Sequence, residues 1–149
     1  MNYIMRQGET LDQLIVWLPQ ERTLLSADLF YRGFRCSAAR WKPDRPVLSW
    51  AESLERMRRF RPEYLVPSHR KPIRGSAVVD SVLRNYAQAI RHVHDETVKR
   101  INAGQSLEQI RQEVRLAIRL APFVFSTNLR HRAMGGQWHL SAIHRMVCV

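Results

Sequence analysis

Val79, Leu83, Tyr86, Ile90, Val93, Thr97 and Ile101 recur three or four residues apart and mark one unbroken apolar stripe. That spacing predicts a long helix from about Ser76, with Gly104 at its C-terminal end. A helix of this length has too little intrinsic stability to leave such a stripe in water, so the stripe must be buried within the chain or against a partner. Ser106-Leu107-Glu108-Gln109 then has the form of a capping box for a second helix carrying Leu107, Ile110 and Val114. Together the two helices predict an αα-hairpin over residues 76–116.

Ahead of the stripe the pattern changes. Leu14-Ile15-Val16-Trp17-Leu18 and Thr23-Leu24-Leu25 are short apolar runs separated by the polar turn Pro19-Gln20-Glu21-Arg22, which reads as two strands of a hairpin. Gly33 to Pro46 has no period and reads as a loop. Ser49-Trp50-Ala51-Glu52 has the Ser-x-x-Glu form of a helix start, and Trp50, Leu54 and Met57 carry that helix to about Phe60, where Pro62 ends it. Tyr64-Leu65-Val66 is a third short strand. Strands mixed with helices in this order predict an α/β lobe over residues 1–75. Residues 117–149 carry no consistent register.

A length of 149 residues with 45% hydrophobic content suits a folded core. The net charge is +11, and 21 of the 24 basic residues are arginine. These arginines are spread along the whole chain, so they read as solvated faces and not as a nucleic-acid surface. Cys36 and Cys148 are the only cysteines, which excludes a disulfide framework or a cysteine-rich zinc site. No apolar run reaches the roughly 20 residues of a membrane span. Residues 1–7 lack the apolar core of a signal peptide, and a cytoplasmic location is the default expectation. There is no GxxxxGK[ST], GxGxxG or GxSxG, so phosphate cradling and serine-elbow catalysis lack a motif.

Three segments each place one potential metal ligand beside a strand-like run: Gly8-Glu9-Thr10-Leu11-Asp12-Gln13, Ala27-Asp28-Leu29-Phe30-Tyr31-Arg32 and Val66-Pro67-Ser68-His69. Taken singly, Glu9, Asp28 and His69 could equally be a loop acid, a turn cap and a loop histidine. In this order they resemble the second half of metallo-β-lactamase-fold hydrolases of the alkylsulfatase type. Asn85-Tyr86-Ala87-Gln88-Ala89-Ile90-Arg91-His92-Val93-His94-Asp95-Glu96-Thr97-Val98 is similar to that family's dimerisation region and is the most specific piece of the likeness.

The resemblance implies half of an αββα sandwich followed by dimerisation helices, and a homodimer through residues 76–116. It implies two zinc ions, with Asp28 as the bridging carboxylate, His69 as an imidazole ligand and Glu9 as a further carboxylate. The activity implied is hydrolysis of ester bonds, sulfate esters above all. The family completes its site with a His-x-His-x-Asp-His cluster that this sequence does not contain, which predicts that the chain is inactive alone and calls for another polypeptide. The lone His-x-His, His92-Val93-His94, falls inside the long helix, where residues two apart point to different sides. Relatives usually carry asparagine where Leu29 follows the bridging acid, and the likeness fades past Leu116. The alternative expectation is a non-enzymatic fragment that self-associates.

Overall fold

The computed structural model describes residues 1–8, 10–30 and 47–114. The elements run β1 (Asn2–Arg6), β2 (Gln13–Leu18), β3 (Thr23–Ala27), α1 (Val47–Arg58), β4 (Tyr64–Pro67), β5 (Ile73–Arg74), α2 (Ser76–Asn102) and α3 (Leu107–Glu113). The class is α/β, as expected. The loop expected at 33–46, the segment 117–149, both cysteines, and His139 and His144 lie outside the described residues.

The five strands form one sheet in the order β1-β2-β3-β4-β5. β1, β2 and β3 pair antiparallel, β3 and β4 pair parallel, and β4 and β5 pair antiparallel. Parallel neighbours need a long crossover, and α1 lies in the connection between β3 and β4. The hairpin of β2 and β3 and the strand at 64–66 match the sequence reading; β1 and β5 do not appear in it. In β1 the apolar residues Tyr3 and Met5 sit outward, 63% and 68% exposed, so the strand lacks the usual polar exterior. β5 is two residues long, too short to show a period.

Ile15, Trp17, Leu24, Leu65 and Ile73 form the inner face of the sheet and share one core with Trp50, Ala51, Leu54 and Met57 of α1 and with Val79, Leu83, Tyr86 and Ile90 of α2. Burying each of the larger aliphatic side chains contributes about 1.5–3 kcal/mol before the cost of ordering the chain is counted. The division expected at residue 75 falls between β5 and α2, and the core runs across it. The long stripe is buried from Val79 to Thr97, whereas Ile101 is half exposed. Val93, at 2% exposure, is an interior residue of this chain.

The Ser-x-x-Glu motif at 49–52 does not start a helix. α1 begins at Val47, and Ser49 lies within it. Docking decides its position: the single proton of the Ser53 hydroxyl is shared between Gln7 O at 2.7 Å and Ser49 O at 2.9 Å, tying the helix to the end of β1. The motif at 106–109 does act as a capping box, with Ser106 N donating to Gln109 Oε1 at 2.8 Å and Gln109 N to Ser106 Oγ at 3.3 Å. α1 ends at Arg58, and Arg61 takes a left-handed φ of +49° just before Pro62.

Contrary to the solvated faces expected from the spread of arginines along the chain, those of the run 56–61 are not all solvated. Arg58 turns toward α2 and donates to Asp80 through Nε at 2.8 Å and Nη2 at 3.3 Å, while Arg84 also pairs with Asp80. The Arg58 hydrogen bond, opposed by partial burial and reinforced by Arg84, holds the Asp80 carboxyl below its usual range. Among the described residues no helix is long and apolar enough to cross a membrane.

Candidate metal centre

Because β3 and β4 run parallel, their C-terminal ends emerge side by side, the position where α/β sheets place ligands. Asp28 follows Ala27 at the end of β3, and His69 stands two residues beyond Pro67 at the end of β4. The two loops are tied by Ser68 N donating to Ala27 O at 3.4 Å. A register shift between Leu25 and Ala27 turns the end of β3, and Ala27 and Arg70 adopt left-handed φ values of +47° and +76°. Neither is glycine, so the conformations are costly ones that the surrounding structure must enforce.

These bends bring His69 Nε2 to 3.4 Å from Asp28 Oδ1. The Asp28 side chain is 31% exposed, yet its Oδ1 is buried without a hydrogen-bond partner. A buried carboxylate oxygen that makes no hydrogen bond and faces an imidazole at 3.4 Å suits a shared cation. Two ligands bonded at about 2.0–2.1 Å to one tetrahedral zinc stand roughly 3.4 Å apart. The pair therefore fits two corners of a zinc site. Among the described residues no group of three or more His, Cys, Asp or Glu side chains is gathered, so the candidate ligands among them amount to a pair.

Glu9 lies outside the described residues, but its neighbours on either side are placed. Gly8 is buried, and its N–H donates to Thr10 O at 2.9 Å, closing a tight turn. A Cβ on Gly8 would fall 2.1 Å from Leu29 Cδ2 and 3.0 Å from Trp50 Cδ1. The turn is thus seated directly on the residue that follows Asp28. Trp50 Nε1 donates to Leu29 O at 2.8 Å and fixes the same residue from the α1 side. Leu29, with no exposed surface, packs where Gly8, the end of β3 and α1 meet, which accounts for an apolar residue at this position. Gly8 and Trp50 escaped the sequence reading as positioning residues, because neither carries a ligand and their partners are distant in sequence. His94 Nδ1 stands 2.9 Å from Asp95 Oδ1 on α2 and takes no part in the Asp28–His69 pair.

Over 118 residues the chain is 31% identical to a linear primary-alkylsulfatase of Pseudomonas sp., an alignment covering 78% of this chain and 22% of that protein. The chain is a homologue of the alkylsulfatases. An alkyl/aryl-sulfatase of Saccharomyces cerevisiae is 21% identical over 113 residues, covering 73% of this chain and 18% of that protein. The chain thus spans about a fifth of the length of the curated alkylsulfatases it matches. In fold it is similar to the stereoselective inverting sec-alkylsulfatase Pisa1 from Pseudomonas sp., with a TM-score of 0.75 at 22% identity over 97% of this chain and 23% of that one. A double mutant of the same sulfatase gives a TM-score of 0.78 at 18% identity. No protein-family model matches the chain.

Proposed function

We propose that this chain contributes Asp28, His69 and Glu9 to the zinc site of a sulfuric-ester hydrolase, and that hydrolysis requires further histidine ligands beyond these 149 residues. The observation that carries the reading is the 3.4 Å approach of His69 Nε2 to the buried Asp28 Oδ1, which makes no hydrogen bond, in a homologue of alkylsulfatases. When bound, a zinc pair lowers the pKa of a shared water and stabilises charge on the leaving oxygen. The chain's own part is to hold a carboxylate and an imidazole at ligand spacing on two parallel strand ends. The exposed outer sheet residues Tyr3, Met5 and Leu14 offer an apolar seat for the structure that brings the remaining ligands.

Calorimetric titration of the chain with zinc tests this. One weak site per chain is expected, abolished by Asp28→Ala and by His69→Ala, with the helical circular dichroism unchanged. Tight zinc binding that survives both substitutions would place the metal elsewhere and refute the assignment.

A second reading, self-association through the 76–116 helices, is favoured by Val98, Ile101 and Leu107, which are 40%, 50% and 48% exposed at the α2–α3 end. Scattered apolar residues are common on surfaces, but these three cluster at one helix junction. Ile101→Glu is expected to convert a dimer mass to a monomer mass in sedimentation while leaving the melting temperature within a few degrees, as for other surface changes. A parent chain that is already monomeric at high concentration would dispose of this reading.

A further inference from the structure

A cleft of about 290 Å³ opens between β1 and α1, lined by Met5, Arg6, Gln7, Ser49, Glu52 and Arg56 among others. We propose that it binds a tetrahedral oxyanion of the sulfate or phosphate-monoester kind, held between the guanidinium groups of Arg6 and Arg56. None of its lining residues is a candidate zinc ligand.

The argument starts from an unmet demand. Arg6 donates through Nη1 to Met5 O at 2.9 Å, but its Nε is buried and has no hydrogen-bond partner. Leaving a charged donor desolvated and unpaired is among the costlier arrangements a protein keeps. Burial first, and the nearby positive charge of Arg56 second, push the Arg6 pKa down, so its surroundings disfavour the cation they contain. An anion in the cleft would answer both causes at once.

Charge balance points the same way. The cleft holds two guanidinium groups and one carboxylate, Glu52. Glu52 reaches Arg56 only at 3.5 Å, with both side chains more than half exposed, so this ion pair is weak and easily displaced. The guanidinium fork suits an oxyanion because it can present two parallel N–H groups to two oxygens. The cleft walls are also fixed: the Ser53 hydroxyl bridges Gln7 O and Ser49 O, locking the end of β1 to α1. Ser53 has thereby committed its proton, and the two arginines are the charged donors that the cleft offers an anion.

The test is calorimetric titration of the full chain with inorganic sulfate and, separately, inorganic phosphate, at constant ionic strength made up with chloride. One saturable site is expected for at least one of the two anions, and the tighter one names the ligand class. Arg56→Ala and Arg6→Ala should each weaken it about ten-fold or more. Arg56 is half exposed, so its replacement tests the site without threatening the fold. Glu52→Gln should tighten binding several-fold, a gain that misfolding cannot produce. Absence of saturable binding for both anions, or an affinity that ignores both Arg56→Ala and Glu52→Gln, would overturn the proposal.

Discussion

Replacing Trp50 with alanine is expected to destabilise the chain by roughly 3–5 kcal/mol, a large share of what a domain of this size has. Trp50 is 2% exposed and sits where α1 meets the sheet and α2. Its ring lies 6.2 Å from that of Tyr86, which in turn lies 5.5 Å from Phe30. Truncation removes the largest side chain of this aromatic group and leaves a cavity that rigid neighbours cannot close. It also strips Leu29 O of the indole N–H that reaches it at 2.8 Å, leaving a buried acceptor unpaired. Trp50→Phe should lie between parent and alanine, because it restores most of the volume but none of the hydrogen bond. Urea unfolding followed by circular dichroism measures both. A loss below about 1 kcal/mol for the alanine variant would mean that Trp50 is not the centre of this packing.

How much of this was legible from the residues depends on how local the signal is. The stripe from Val79 to Thr97 announces α2 because helical periodicity is repeated over many turns. The box at 106–109 announces α3 because it is satisfied by groups three residues apart. The similar box at 49–52 misleads, since α1 is placed by its contacts with Gln7 and with the core, and local capping chemistry yields to that docking. β1 escapes because its outward residues are apolar, which erases the alternation that identifies a half-buried strand.

The candidate site divides along the same line. Asp28 and His69 can be named from the order of their segments, but nothing in either segment states that they meet. Their approach follows from the parallel pairing of β3 with β4 and from left-handed turns at Ala27 and Arg70, neither of which carries the glycine that usually advertises such a turn. The two arginines of the β1–α1 cleft stand fifty residues apart in sequence and are brought together by the Ser53 bridge. Pairings of this kind are tertiary facts, and a reading based on spacing passes over them.

Gly8 offers the sharpest test of the link between packing and the proposed metal centre. Gly8→Ala is expected to cost roughly 1–3 kcal/mol, because the new methyl group would stand 2.1 Å from Leu29 Cδ2 and 3.0 Å from Trp50 Cδ1. Surface leucines would swing aside, but Leu29 has no exposed surface and Trp50 almost none, so the backbone at Gly8 must lift instead. Leu29→Ala taken alone should cost about 2–5 kcal/mol through its cavity. In the double variant the methyl group added at Gly8 would occupy part of the space that Leu29 vacates. The two losses should therefore sum to more than the double variant shows, with a favourable coupling of about 1 kcal/mol or more. Additive losses would show that Gly8 and Leu29 do not touch. The zinc titration gives an independent readout: lifting the turn should weaken metal binding in Gly8→Ala, and making room beside it should restore binding in part, whereas a turn unconnected to the site would leave zinc affinity unchanged in both.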